Sequence, residues 1–278
     1  MNLRLRKLQS TLMTLLMCLA TVAVLIPLGM IFVHIVKMGL SSINFDFFTQ
    51  IPKPTGETGG GMANGIAGSA ILIGLASCLG IPVGVLGAIY LTEFGGSRIS
   101  TVIRFSADVL AGIPSIITGM VAYALLVVPM KGFSALAGSV ALALIMIPIV
   151  LRTTEEQLKM VPDSLREASL ALGIPLWRTA LKVTLRSALT GVITGILLSI
   201  ARIAGETAPL LFTALGNQFW SRSLTDPIAS LPLQIFNFAI SPYEDWHKLA
   251  WAGALFLVTL MFVLNLSARY FGRSRHPS

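Results

Sequence analysis

Residues 152–187 read RTTEEQLKMVPDSLREASLALGIPLWRTALKVTLRS, a long polar interval set between apolar runs. Its pattern is helical. Pro162 and Asp163 form a helix start, the periodicity of 164–172 carries the helix on, Gly173 stops it, and Pro175 stands where a second helix opens. The interval predicts two short helices joined at Gly173, projecting as one compact unit.

On either side of it the chain is strongly apolar. Hydrophobic residues make up 55% of the sequence and charged residues 12%, against about a quarter charged in soluble domains; mean hydropathy is +0.82. Runs long enough to cross a bilayer, about 20 residues each, lie near 12–36, 66–91, 101–128, 134–151, 188–213 and 249–271. The fold class that follows is an all-α membrane protein with six transmembrane helices, and 278 residues leave little for a separate soluble domain. One transmembrane domain over 1–278 is expected. The first run follows Arg4, Arg6 and Lys7 in the manner of a signal peptide, but it exceeds the 7–15 apolar residues of a cleaved one and lacks a close A-x-A site. It is retained as helix one. Residues 227–240 are also apolar, yet they are short and contain Pro227 and Pro232, which favours a re-entrant or interfacial segment over a span. Pro52, Pro54, Gly56 and Gly59 to Gly61 mark the loop after helix one as a turn-rich connector rather than a packed element.

Basic residues set the sidedness. With the termini and the loops after helices two and four on the cytoplasmic side, that side collects Arg4, Arg6, Lys7, Arg98, Arg104, Arg152, Lys159, Arg166, Arg178, Lys182, Arg186, Arg269, Arg273 and Arg275. The other side holds Lys37, Lys53, Lys131, Arg222 and Lys248, and Arg202 lies within helix five. Fourteen against five is a positive-inside bias, so the net charge of +8 reflects membrane topology, with lipid and not nucleic acid as the partner. Cys18 and Cys78 lack disulfide or metal spacing, and His34, His247 and His276 form no cluster.

Within the polar interval, Glu167-Ala168-Ser169 is followed after three residues by Gly173 and after nine more by Val183-Thr184-Leu185. This resembles the EAA signature of ABC importer permeases, in which EAA, three residues, Gly and nine residues lead to I-x-L-P. Ser169 stands where the signature has its second Ala, and Arg186 where it has Pro. The resemblance implies a MetI-like permease fold in which 152–187 is a cytoplasmic coupling loop, with Glu167, Ala168, Ser169 and Gly173 fitting a groove on an ATP-binding subunit. A short helix held at both ends transmits a rigid-body movement, and Gly173 permits the tight turn. No G-x-x-x-x-G-K-[ST] loop occurs; this chain is expected to bind no cofactor and to leave ATP and Mg to the partner.

Further along, Ala201-Arg202-Ile203-Ala204-Gly205-Glu206-Thr207-Ala208-Pro209-Leu210-Leu211 is similar to the R-x-x-GETAPL stretch of PstA-type phosphate permeases, as are residues 112–117 (GIPSII) and 230–235 (SLPLQI). With the coupling loop, the likeness covers most of the chain from about residue 60. It implies a permease subunit of an ATP-driven phosphate importer in the bacterial inner membrane, both termini cytoplasmic. A second related permease, two ATP-binding subunits and an extracytoplasmic phosphate-binding protein are the implied partners.

The residues suit that chemistry. Arg202 lies 14 positions past Ala188, about 21 Å at roughly 1.5 Å per residue, which places it deep in the bilayer. Arg202 and Glu206 together cost about 5–7 kcal/mol if unpaired, and the apolar residues of the segment return roughly 0.3–0.6 kcal/mol each. Helix five is marginal alone and must turn this face to protein or water. The i,i+4 spacing lets Arg202 and Glu206 pair, and Pro209, by freeing the Gly205 carbonyl, bends the helix nearby. The planar guanidinium matches phosphate oxygens, so Arg202 is the first candidate for anion contact; a structural ion pair is the alternative. Arg152 stands either on the inner anion path or as an interfacial anchor. Asp108 repels anions, pairs with a base or snorkels, and Ser115, after the helix break at Pro114, faces the pathway or bonds its own backbone. The competing functions are an ABC permease for sulfate, molybdate or another small solute, a secondary anion transporter, which needs no ATPase dock, and an intramembrane enzyme, for which no nucleophile and base pair is visible.

Overall fold

The computed structural model describes residues 3–57, 59–96 and 98–273; Arg275 and His276 lie outside them, as do the side chains of Arg4 and Arg273. Among the described residues the chain is helical, with two isolated β-bridges. In chain order the helices are α1 (Leu3–Leu40), α2 (Phe45–Thr49), α3 (Ala63–Glu93), α4 (Arg98–Gly112), α5 (Ser115–Met130), α6 (Ala135–Lys159), α7 (Asp163–Ala171), α8 (Leu176–Ala204), α9 (Ala208–Thr213), α10 (Leu231–Ala239) and α11 (Glu244–Arg273). Helices α1, α3, α6, α8 and α11 are long and apolar enough to cross a membrane, and the α4–α5 pair makes a sixth span if it counts as one.

That pair divides the expected span over 101–128 at the helix break read at Pro114. The two limbs are bent by 108° at Gly112-Ile113-Pro114. Pro114 has no N–H to donate and its ring pushes Ile113 out of the helical region, so α4 stops at Gly112 and α5 starts afresh at Ser115. A second break corrects the span over 188–213. Helix α8 starts earlier, at Leu176, passes through a π-helical turn at Ala180–Thr184, and ends at Ala204. Pro209, expected to bend the helix, instead stands in the first turn of a new one, α9, because it can neither donate to the Gly205 carbonyl nor clear it.

The core is the seam between α3 and α6. Gly80, Gly84 and Gly87 of α3 face Met146, Val150 and Leu151 of α6, and a Cβ added at Gly84 would fall 2.8 Å from Val150 Cβ. Small residues at these positions let two membrane helices approach closely. Leu72, Ala76, Leu142, Met146, Val150, Ile203 and Leu210 complete a buried cluster that brings in α8 and α9. By contrast, the apolar window of α1 is not buried at all; this helix touches the rest through His34, edge-on to Trp251 at 4.9 Å, and Gly39 against Leu255.

The connector after α1 is packed, contrary to expectation. Asn44 Oδ1 caps α2 by accepting from Phe47 N at 2.9 Å, which turns Phe47 fully inward among Met62, Leu231 and Phe238. Its glycines do make turns: Gly56, Gly59 and Gly60 have positive φ. Residues 227–240 contain α10, nine residues long and too short to span, whose Leu231, Leu233, Gln234 and Phe238 are buried.

Close packing also joins the two broken segments. A Cβ on Gly119 of α5 would lie 2.6 Å from Pro209 Cα and 3.1 Å from its carbonyl oxygen, atoms that cannot rotate aside. Gly119→Ala is expected to push α9 off α5 and destabilise the fold by about 1–3 kcal/mol. Gly74→Ala, where nothing lies within 4 Å, is the control. Thermal unfolding of the purified chain should show a lowered midpoint for the first and none for the second; equal midpoints would refute the contact.

Candidate functional site

At the α8–α9 break the chain turns at Gly205, and Glu206 leaves the helix, its N–H donating to the Ile203 carbonyl at 3.2 Å. Arg202, in the last turn of α8, meets Glu206: Nη2 to Oε1 is 3.2 Å. The expected pair forms, with a changed geometry, since one partner sits on the helix end and the other beyond it. Glu206 is 9% exposed and Arg202 63%, and Glu206 Oε1 is not aligned to accept a hydrogen bond. The carboxylate is thus fixed in the protein while most of the guanidinium fork stays open.

Arg152 lies on α6, two turns before its end. A Cβ on Gly195 of α8 would fall 2.6 Å from Thr153 Oγ1, which sets Arg152 level with residue 195, seven positions and so roughly 10 Å from Arg202 toward the 152–187 end. Arg152 Nη2 donates to Asp108 Oδ1 of α4, so of the three roles open to Asp108 the structure shows pairing. Ser115 opens α5 half-buried, just past the bend, in a limb that packs on both α9 and α6.

Sequence reasoning did not single out Glu155, which organises this region. It is 1% exposed; its Oε1 accepts from Arg104 Nε of α4 at 2.9 Å and pairs with Lys159 Nζ at 2.7 Å, and Arg152 Nη1 stands 3.8 Å from Oε2. The i−3 and i+4 placement of Arg152 and Lys159 was a legible signal; Arg104, 51 residues away, was not. Beside this group, Arg166 of α7 pairs with Glu93 Oε1 at 3.1 Å and donates to the Leu158 carbonyl at 2.8 Å, tying α7 to the ends of α3 and α6.

The polar interval departs from two short helices joined at Gly173. Only α7 is short; the second piece is the start of α8, which runs unbroken past Arg186 because Arg, unlike the Pro of the signature, keeps its N–H and suits a helix. Gly173 has φ +76°. Ile174 N donates to Ser169 O at 3.3 Å and Gly173 N to Leu170 O at 2.9 Å, the paired bonds of a Schellman terminus. Ser169 is buried and its hydroxyl bonds that of Thr179 at 2.9 Å, closing α7 onto α8, while Glu167 and Ala168 are exposed.

Residues 80–276 match the family of binding-protein-dependent transport system inner membrane components. The "Phosphate transport system permease protein PstA" of Yersinia pestis is 51% identical over 87% of this chain and 82% of its own length. The protein of that name in Pasteurella multocida is 45% identical over 96% of this chain and 95% of its own. The chain belongs to the PstA family of permeases. Among solved structures, a chain of a bacterial alginate ABC transporter in complex with an alginate pentasaccharide-bound periplasmic protein is similar with a TM-score of 0.64 at 14% identity, over 96% of each chain. The MetNI methionine ABC transporter, in inward-facing conformations, gives 0.60 at 21% identity over 75% of this chain and 91% of that one. These likenesses establish the expected MetI-like permease fold.

In this PstA-family chain the buried Glu155 makes a testable structural claim. Glu155→Gln leaves Arg104 facing a neutral amide. A fully buried pair broken in this way costs about 3–5 kcal/mol; with Arg104 and Lys159 partly exposed, about 2 kcal/mol is expected. Thermal unfolding of the purified variant should show a lower midpoint, and Glu156→Gln, at an exposed neighbour, none. An unchanged Glu155→Gln midpoint would show the network to be dispensable.

Proposed function

We propose that this chain is one half of the membrane pathway of an ATP-driven phosphate importer, and that Arg202 meets the anion during passage. The observation that carries this reading is the α8–α9 break: a guanidinium 63% exposed, backed by a carboxylate 9% exposed, at a point where the backbone of a spanning helix is interrupted. A broken helix at membrane depth is tolerated where it faces protein or a cavity, and an arginine there marks an anion path. Arg152, roughly 10 Å further along, provides a second basic level. The relatives named for phosphate transport support the choice of anion.

The chain works with a second related permease, two subunits that hydrolyse ATP with Mg and an extracytoplasmic phosphate-binding protein. Residues 152–187 and both termini are cytoplasmic, with α7 seated on an ATP-hydrolysing subunit; the charge bias and the exposed Glu167 and Ala168 support this. Reconstitution of the chain with these partners in proteoliposomes tests the reading. ATP-dependent phosphate uptake that excess sulfate does not suppress is the expected result, and uptake without ATP or preference for sulfate overturns it. Ser164→Cys should be labelled by an impermeant reagent only from the cytoplasmic side; labelling from outside intact cells contradicts the topology.

A further inference from the structure

Helix α4 is joined to α6 by two ion pairs that run in opposite senses. Arg104 of α4 donates to Glu155 of α6, and Arg152 of α6 donates to Asp108 of α4. The acceptors differ in setting. Glu155 is 1% exposed and shared by Arg104 and Lys159, whereas Asp108 is 54% exposed and Arg152 38%. A buried carboxylate bound by two cations cannot leave without stranding charge; a half-exposed pair is worth only about 0.2–1 kcal/mol and exchanges readily.

The apolar seat of α4 is also small. Ala107 and Ile103 rest on Leu91, Leu151 and Tyr90, while Ile99, Val102 and Phe105 face outward. The ion pairs are therefore a large part of what holds this limb. A guanidinium receives a carboxylate and a phosphate through the same planar fork. Arg104, Arg152 and Lys159 stand in balance against Asp108, Glu155 and the nearby Glu156, and one surplus positive charge appears when Asp108 withdraws.

Building on the reading that Arg152 lies on the anion path, we propose that Asp108 is an internal stand-in for the transported anion. Phosphate arriving at Arg152 displaces Asp108 and unlatches this end of α4 from α6, while Arg104–Glu155 remains closed as a pivot. The movement has a route onward, because α4 continues through the 108° bend into α5, whose Gly119 abuts Pro209 beside the Arg202–Glu206 break.

The test uses the two permeases with their ATP-hydrolysing subunits, in detergent and without ATP or binding protein, and follows equilibrium binding of radiolabelled inorganic phosphate. Removal of an internal competitor worth up to about 1 kcal/mol tightens binding up to roughly fivefold, so Asp108→Asn is expected to bind phosphate more tightly, a gain that structural damage does not produce. Asp108→Glu, which keeps the competitor, should stay near the parent. Spin labels at Ala111→Cys on α4 and Ile149→Cys on α6, on the Asp108–Arg152 side of the pivot, with Cys18 and Cys78 changed to Ser, should separate when phosphate is added, and in Asp108→Asn should already be apart. Unchanged or weaker binding in Asp108→Asn, alongside loss of binding in Arg152→Gln, overturns the stand-in role and leaves the anion role of Arg152 intact. Unchanged binding in Arg152→Gln overturns the anion reading itself.

Discussion

Arg202→Gln is expected to abolish phosphate uptake while the complex still assembles and hydrolyses some ATP. The guanidinium is largely open at the helix break, and a charge-assisted hydrogen bond to an anion is worth about 1.5–3 kcal/mol, so uptake should fall roughly 10- to 150-fold or below detection. The neutral amide also leaves Glu206, 9% exposed, without its counter-charge. Arg202→Lys keeps the charge and loses the fork: partial uptake points to electrostatic attraction, and none to bidentate geometry. The double change Arg202→Gln with Glu206→Gln separates the two roles of the arginine. A purely structural Arg202 predicts recovered transport once both charges are gone. An anion-contacting Arg202 predicts recovered stability and lost transport, and uptake near the parent level in the double variant would sink the phosphate-contact proposal.

The second large effect is expected at Gly173. Its φ of +76° costs a residue with a Cβ about 1–2 kcal/mol, and nothing lies within 4 Å of the position a Cβ would take. Conformation and not crowding is therefore the obstacle. Gly173→Leu should open the Schellman terminus, let α7 drift from the Ser169–Thr179 contact and uncouple ATP hydrolysis from uptake, with transport reduced about fivefold or more and membrane insertion unaffected. Gly173→Asn, which tolerates this backbone region, should keep most transport. Equal activity of the two variants would remove the backbone explanation, and normal transport by Gly173→Leu would remove the coupling assignment.

Much of this was legible in the chain because it rests on local chemistry. The spans follow from apolar length, the α7 terminus from Gly173, and the proximity of Arg202 to Glu206 from a spacing of four. What failed were inferences that extended one helix through a proline. The break at Pro114 is legible within what reads as one span, and Pro209, read as a bend, marks a break as well, since a proline has no N–H to donate and its ring clashes with the carbonyl four residues before it. The second short helix of the polar interval failed for the opposite reason: Arg186 permits continuation where the signature has Pro.

By itself, then, the sequence determined the solvent, the spans and the chemical type of the site, because transfer into lipid, helix termination and side-chain charge are properties of neighbouring residues. Only the tertiary structure decided which charges meet. Arg104 and Glu155 are 51 residues apart, Asp108 and Arg152 are 44 apart, and Gly119 finds Pro209 across 90 positions. Those pairings depend on α3 and α6 packing through glycines and on the angle at Gly112–Pro114, which set where each helix face points, and no periodicity within a single helix encodes the partner it will face.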